Sequence, residues 1–161
     1  MKKLFLIRHA KAEDGGMLTR DFNRNLTDRG RNDAERKAQQ LIGIQPTINH
    51  IISSDANRAL QTAQIFAKQF NIPDNLIEKE HFIYNDYHPS DLLFLLQQQG
   101  NDVESFAVFG HNPNIAYAAA SFVTQPISHF STSCVAAIEF DVNDWNDITL
   151  KGGKLLYLLN D

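Results

Sequence analysis

The chain has 161 residues, a length that points to one domain spanning 1–161 around a single hydrophobic core. An apolar share of 43% against 21% charged residues excludes general disorder. The net charge of −4, with lysines and arginines scattered, offers no basic face for nucleic acid or an anionic membrane, so any anion site must be local, built from a few converging cations.

Met1-Lys-Lys-Leu-Phe-Leu-Ile7 is basic then apolar, but the apolar run stops at Arg8, too short for a signal peptide. No stretch is long enough to span a membrane, and the expected location is the cytoplasm. Leu4–Ile7, short and continuously apolar, reads as a central parallel strand covered on both faces. Thr27 reads as the N-cap of a helix carrying Ala34, Ala38, Leu41 and Ile42 at helical spacing, ended by Gly43 and Pro46. Ile48–Ser53 is a second strand. Asp55 then caps a helix with Leu60, Ala63, Ile65, Phe66 and Phe70 largely on one side, closed by Pro73.

A loop with Tyr84, Tyr87, His88 and Pro89 leads to Ser90, read as the cap of a helix over Asp91–Gln99. Phe106–Phe109 is another brief strand. Asn112 and Pro113, a favoured cap and a favoured first helical residue, open a helix to about Val123. Val135–Phe140 and Leu155–Leu159 read as the last strands, with Lys151-Gly-Gly-Lys154 a turn before the second of them. Strands alternating with helices predict a three-layer α/β/α sandwich with a mainly parallel central sheet. Cys134 is the only cysteine, which excludes an internal disulfide; in its apolar setting it reads as a small core residue.

Three strand ends carry the chemistry: Arg8-His9, then Ser53 to Arg58, then Gly110-His111. In an open α/β sheet ligands bind beyond the carboxyl ends of the strands, so parallel neighbours would bring Arg8, His9, Arg58 and His111 into one pocket. Taken singly, each has a plainer reading: Arg8 reaching out to solvent, His9 and His111 as polar strand-end residues. Arg58, in the first turn of its helix, opposes the positive end of the helix dipole unless an anion sits there. His50, His81, His88 and His129 read as exposed polar residues, and no histidine spacing suggests a metal site. Together the four strand-end groups suit a phosphoryl group. Two guanidiniums supply forked permanent charge, one neutral imidazole can attack phosphorus, and the second can donate to a phosphoryl oxygen.

Leu6-Ile-Arg-His-Ala10, Asn25-Leu-Thr-Asp-Arg-Gly30, Ser53-Ser-Asp-Ala-Asn-Arg-Ala-Leu-Gln-Thr-Ala63 and Phe109-Gly-His-Asn-Pro113 follow one another in an order that resembles the histidine phosphatase superfamily. The fold implied is phosphoglycerate mutase-like. The chain's shortness, its opening Arg8-His-Ala-Lys-Ala-Glu-Asp14 and its Asp21-Phe-Asn-Arg24 are similar to the SixA-type phosphohistidine phosphatase branch, without the large insertions that cap the site in other branches. The resemblance implies His9 as nucleophile, Arg8 and Arg58 as phosphoryl clamps, His111 completing the pocket and the backbone N–H of Asn112 as a further donor. It implies no cofactor and no metal.

Two departures stand out. Asp55 replaces a proline common in relatives, a change expected to have no functional consequence. Where many relatives carry an acidic residue after the segment corresponding to Ile83-Tyr84, this chain has Asn85, which cannot protonate a leaving group. Asp86, Glu80 and His81 are the neighbouring candidates for that acid, each also readable as an ordinary loop residue. A site without an acid favours P–N over alkyl P–O cleavage. The expectation is therefore a phosphatase of phosphohistidine on another protein, such as a histidine-containing phosphotransfer domain or a sugar-phosphotransferase protein, acting as a monomer. The alternatives are a phosphatase of small metabolites, using Asp86 or Glu80 as acid, and a non-catalytic phosphate-binding scaffold. Whether Arg24 reaches the pocket is left open by the sequence.

Overall fold

A computed structural model describes all 161 residues. The strands are β1 (Lys2–Arg8), β2 (His50–Ser53), β3 (Glu78–Lys79), β4 (Ser105–Gly110), β5 (Val135–Phe140) and β6 (Gly153–Leu159). They form one sheet in the order β3-β2-β4-β1-β5-β6. The four strands from β3 to β1 run parallel, and β5 and β6 run antiparallel to their neighbours. The main helices are α1 (Asp28–Ile44), α2 (Asn57–Gln69), α3 (Pro89–Gln97) and α4 (Asn114–Phe122).

Alternation along β1 explains the layers. Phe5 and Ile7 point to the side where Ala34, Ala38 and Leu41 of α1 and Ala63 and Phe66 of α2 pack. Leu4 and Leu6 point to the other, against Leu92 and Leu96 of α3 and Ile115, Ala118 and Phe122 of α4. Each large apolar side chain so buried contributes about 1.5–3 kcal/mol. The expected three-layer α/β/α sandwich is the observed one, with a mainly parallel sheet. Cys134 is fully buried beside β5, and burial pushes its thiol up to about 12, which makes it inert at neutral pH.

Several boundaries differ from the sequence reading. Thr27 caps α1 as expected, accepting from the Gly30 N–H at 3.0 Å. Asp55 does not cap α2: the N-cap is Ala56, whose side chain has nothing to offer the helix end. Ser90 likewise yields to His88, whose ring accepts from the Ser90 N–H while the Asp91 carboxylate accepts from the His88 N–H, with Pro89 in the first turn. The cap position of α4 is Pro113, and the Asn112 side chain turns elsewhere. β6 begins at Gly153, two residues earlier than its apolar run suggests, because the strand continues past Lys154 into the turn. The two-residue β3 at the sheet edge has no periodicity of its own to read.

Register sets up the pocket. Ile7 and Ser53 both pair with Phe109 of β4, so β1, β4 and β2 end level. Just beyond, the His9 N–H donates to the Gly110 carbonyl and the Ser54 N–H to the Phe109 carbonyl, each at 3.0 Å. His9, His111 and Ser54 are therefore neighbours across three strand ends spaced about 4.8 Å apart. Gly30 holds the segment after His9 in place: a Cβ there would overlap the Lys11 carbonyl oxygen, so only glycine lets α1 approach this closely.

Candidate active site

The rings of His9 and His111 sit with centroids 5.2 Å apart, tilted by 53°. Both side chains are buried, as is that of Arg58. The His9 Nδ1–H donates to the Ala10 carbonyl at 2.7 Å, which leaves the lone pair on Nε2. Burial, followed by the positive charges of Arg58, Arg8 and Arg24, lowers His9 to about 4, against the pull of the Ala10 carbonyl, which raises it. At neutral pH the ring is an uncharged base with a free nitrogen, the form a nucleophile needs.

His111 is fixed from the β2 side. Ser54 Oγ lies 2.8 Å from its Nε2 and accepts from the Ala56 N–H at 3.2 Å. The hydroxyl hydrogen is then free to be donated to Nε2, and the ring carries its own proton on Nδ1. Burial first, then the neighbouring His9 and Arg58, lower His111 to about 3, so it too is neutral.

The two guanidiniums are anchored by their outer nitrogens. Arg58 donates from Nη1 to the Asp21 carbonyl at 2.8 Å and from Nη2 to Asp21 Oδ2 at 3.1 Å. Arg8 donates from Nη1 to the Phe130 carbonyl at 3.1 Å. Burial lowers the pKa of Arg8, but from so high a value that the charge stays. Four buried side-chain polar atoms in the protein lack a hydrogen-bond partner; three are Arg8 Nε, Arg58 Nε and His111 Nδ1. An unmet buried donor is costly, and these three belong to residues close enough to His9 to touch or perturb its ring, an arrangement chemically suited to an oxyanion.

Asp21 and Tyr84 are the functional residues that sequence reasoning missed. The Asp21 carboxylate takes Arg58 on one oxygen and Arg24 Nη1, at 2.9 Å, on the other. It also accepts from the Tyr84 hydroxyl at 2.8 Å. Burial would raise this carboxyl, but the hydrogen bonds from Tyr84, Arg24 and Arg58 outweigh it and hold it at about 2. The Asp21/Arg24 spacing of three, flagged only for its family likeness, was the available signal. Arg24 thus reaches the rim of the pocket, tied also to the Glu13 carbonyl at 2.6 Å. Asn112 donates its side-chain amide to the Phe130 carbonyl that Arg8 uses, so only its backbone N–H, unbonded within the chain, could serve a ligand.

The acid candidates separate. Glu80 is set against Glu78, and burial together with that neighbour raises its pKa; Glu78 in turn holds His50 at 2.7 Å. Asp86 lines a different hollow, with Phe82, Tyr87 and Phe94. His81 alone lines the same hollow as Asp21 and Tyr84. No cluster of three or more His, Cys, Asp or Glu side chains is arranged to hold a metal ion. No helix is long and apolar enough to cross a membrane.

Residues 4–82 match the family model of the histidine phosphatase superfamily (branch 1). The crystal structure of a candidate phosphohistidine phosphatase SixA from Agrobacterium tumefaciens superposes with a TM-score of 0.82 and 28% identity, over 99% of this chain and 98% of that one. A protein histidine phosphatase SixA complexed with tungstate shares the fold, with a TM-score of 0.82 and 23% identity over 97% of this chain and 95% of that one. Among curated proteins, the mitochondrial serine/threonine-protein phosphatase PGAM5 of Xenopus laevis is 37% identical over 73 residues, 45% of this chain and 25% of that protein. The 2,3-bisphosphoglycerate-dependent phosphoglycerate mutase of Thermoplasma acidophilum is 40% identical over 74 residues, 44% of this chain and 36% of that protein. The chain thus matches about a quarter to a third of the length of these curated relatives.

Proposed function

The chain belongs to the histidine phosphatase superfamily, and we propose that it removes the phosphoryl group from phosphohistidine on another protein, through a phosphoramidate on His9. The carrying observation is the trio of unpartnered donors, Arg8 Nε, Arg58 Nε and His111 Nδ1, beside a neutral His9. In this reading His9 Nε2 attacks phosphorus while the guanidiniums and the His111 N–H hold the peripheral oxygens, whose charge grows in the transition state. Water then attacks phospho-His9 and releases phosphate.

What supports a P–N bond over an alkyl ester is that the one carboxylate gripping the pocket's arginines cannot serve as acid, while the remaining candidate, His81, lies in a hollow walled by Phe22 and Tyr84 that suits a flat ring rather than an alkyl group. Asp21, held at about 2, has no proton to give an alkoxide at neutral pH. Glu80 is engaged with Glu78 and Asp86 lines a different hollow, which counts against the metabolite phosphatase. The likeness to the Agrobacterium tumefaciens candidate phosphohistidine phosphatase supports the same choice. The test compares kcat/KM on a phosphohistidine peptide with that on alkyl phosphate monoesters. A preference of about 100-fold or more for the peptide is expected, the lower end of what a positioned acid contributes; comparable efficiency would overturn the reading. Acid-labile label trapped on the wild type and lost in His9→Ala excludes a non-catalytic scaffold.

A further inference from the structure

Asp55, expected to be without consequence, is engaged. His81 Nδ1 lies 2.9 Å and 2.8 Å from its two carboxylate oxygens, so the ring N–H donates to the carboxylate. Asp55 follows Ser54, whose hydroxyl holds His111, and stands three residues before Arg58, so its backbone is tied to residues of the site. His81 lies in a 3₁₀ turn, its ring centroid 5.9 Å from both Phe22 and Tyr84; Tyr84 packs in turn on His111 at 5.7 Å. Arg20, Asp21, Phe22, His81 and Tyr84 line a hollow of about 430 Å³. Since Asp21 grips Arg58 and Tyr84 touches His111, this hollow borders the place a phosphoryl group would occupy. It is walled by three aromatic rings, the surface a flat heteroaromatic ring stacks on.

Resting on the phosphohistidine reading, we propose that this hollow receives the departing imidazole ring and that His81, oriented by Asp55, gives that ring its proton. His9 Nε2 forms a bond to phosphorus as the phosphorus–nitrogen bond of the substrate breaks. The electron pair of that bond stays on the departing nitrogen, which takes the proton from Nε2 of the His81 imidazolium. The products are phospho-His9, a neutral substrate imidazole and a neutral His81. Without the transfer, a substrate ring not already protonated would have to leave as an imidazolide anion. Asp55 is a positioning residue: with Nδ1–H committed to it, the transferable proton sits on the opposite edge of the ring. Besides Asp55, the charged or titratable side chains that line the hollow with His81 are Arg20, Asp21 and Tyr84, and Glu80 precedes it in the chain.

The test is the single-turnover rate of phospho-His9 formation in the wild type, His81→Gln and Asp55→Asn. Each is measured on a phosphohistidine peptide and on 4-nitrophenyl phosphate, whose phenolate departs with little need of a proton. His81 is largely exposed, so the variant is expected to fold. The expected result is a His81→Gln loss of about 100-fold on phosphohistidine, at least tenfold larger than on the aryl ester, in kcat rather than KM. Asp55→Asn should show the same leaving-group split with a smaller loss. Equal losses on both substrates, or none on a peptide the wild type does turn over, overturn the dyad alone. Failure of the wild type on the peptide overturns the substrate reading and this proposal with it.

Discussion

The two buried imidazoles should make the fold acid-sensitive in a window fixed by their own shifts. Above the ordinary histidine value of 6.5 both rings are neutral whether the chain is folded or not. Below it the unfolded chain takes up protons that folded His9, lowered to about 4, and His111, lowered to about 3, refuse. The stability is therefore full above the unfolded value and lost as pH falls toward the folded ones, by about 1.4 kcal/mol per pH unit for each ring. Between pH 7 and pH 5 that amounts to roughly 2 kcal/mol per ring, or about 3–4 kcal/mol for the pair. For a chain of this size the melting temperature should fall by on the order of 10 °C from these groups alone. The assay is denaturant and thermal unfolding at both pH values, in phosphate-free buffer, of the wild type and a His9→Asn/His111→Asn variant. The variant should lose most of that pH dependence. If both proteins lose equal stability between the two pH values, the rings are not buried neutral and the electrostatic account of the nucleophile fails.

Three further outcomes follow from the same geometry. Ser54→Ala should free His111 to carry its proton on either nitrogen, lowering kcat about tenfold or more with little change in KM; nitrogen NMR of His111 should show the loss of a pure Nδ1–H form. Arg58→Lys should cost about 100-fold in kcat/KM, because an ammonium cannot keep its hold on Asp21 and still present a fixed N–H to the phosphoryl group; a loss under threefold would mean charge alone suffices. Gly30→Ala should destabilise the fold by about 1–3 kcal/mol in denaturant unfolding, since its Cβ collides with backbone at Lys11 rather than with a pliable side chain.

The legible parts of the fold were those fixed by short-range chemistry. Leu4–Ile7 reads as a buried strand because an apolar run that short, stopped at Arg8, suits a strand covered on both faces, and Thr27 reads as a cap because threonine ahead of an amphipathic run can accept from a first-turn N–H, here that of Gly30. Gathering Arg8, His9, Arg58 and His111 followed from adjacency of three parallel strand ends, a rule of topology. What stayed hidden depends on the course of loops. Asp55 reads as a helix cap on propensity, yet its carboxylate is drawn off by a histidine 26 residues away. His88 displaces Ser90 as cap because a ring nitrogen reached the same N–H, which single-residue preferences do not weigh. Asp21 stands out in the sequence only within a family-like segment, and the meeting of Arg58, Arg24 and Tyr84 upon it shows that it organises the pocket.

That organisation answers a difficulty any phosphoryl site faces: cations close enough to hold an anion also repel one another and must be kept still while the site is empty. Here Arg58 is tethered by both outer nitrogens to Asp21 and Arg8 by one to the Phe130 carbonyl, and each leaves its Nε unpartnered. His9 and His111 are tethered the same way, by the Ala10 carbonyl and the Ser54 hydroxyl, each leaving its second nitrogen free for the proposed reaction. No donor has to reorganise when charge builds on the phosphoryl oxygens, which is where electrostatic stabilisation is most effective. Burial above all, and the same cations after it, keep His9 unprotonated, so in the proposed mechanism the groups that hold the anion also help to ready the nucleophile. Removing a tether should therefore damage kcat more than phosphate affinity, whereas removing a guanidinium should damage both.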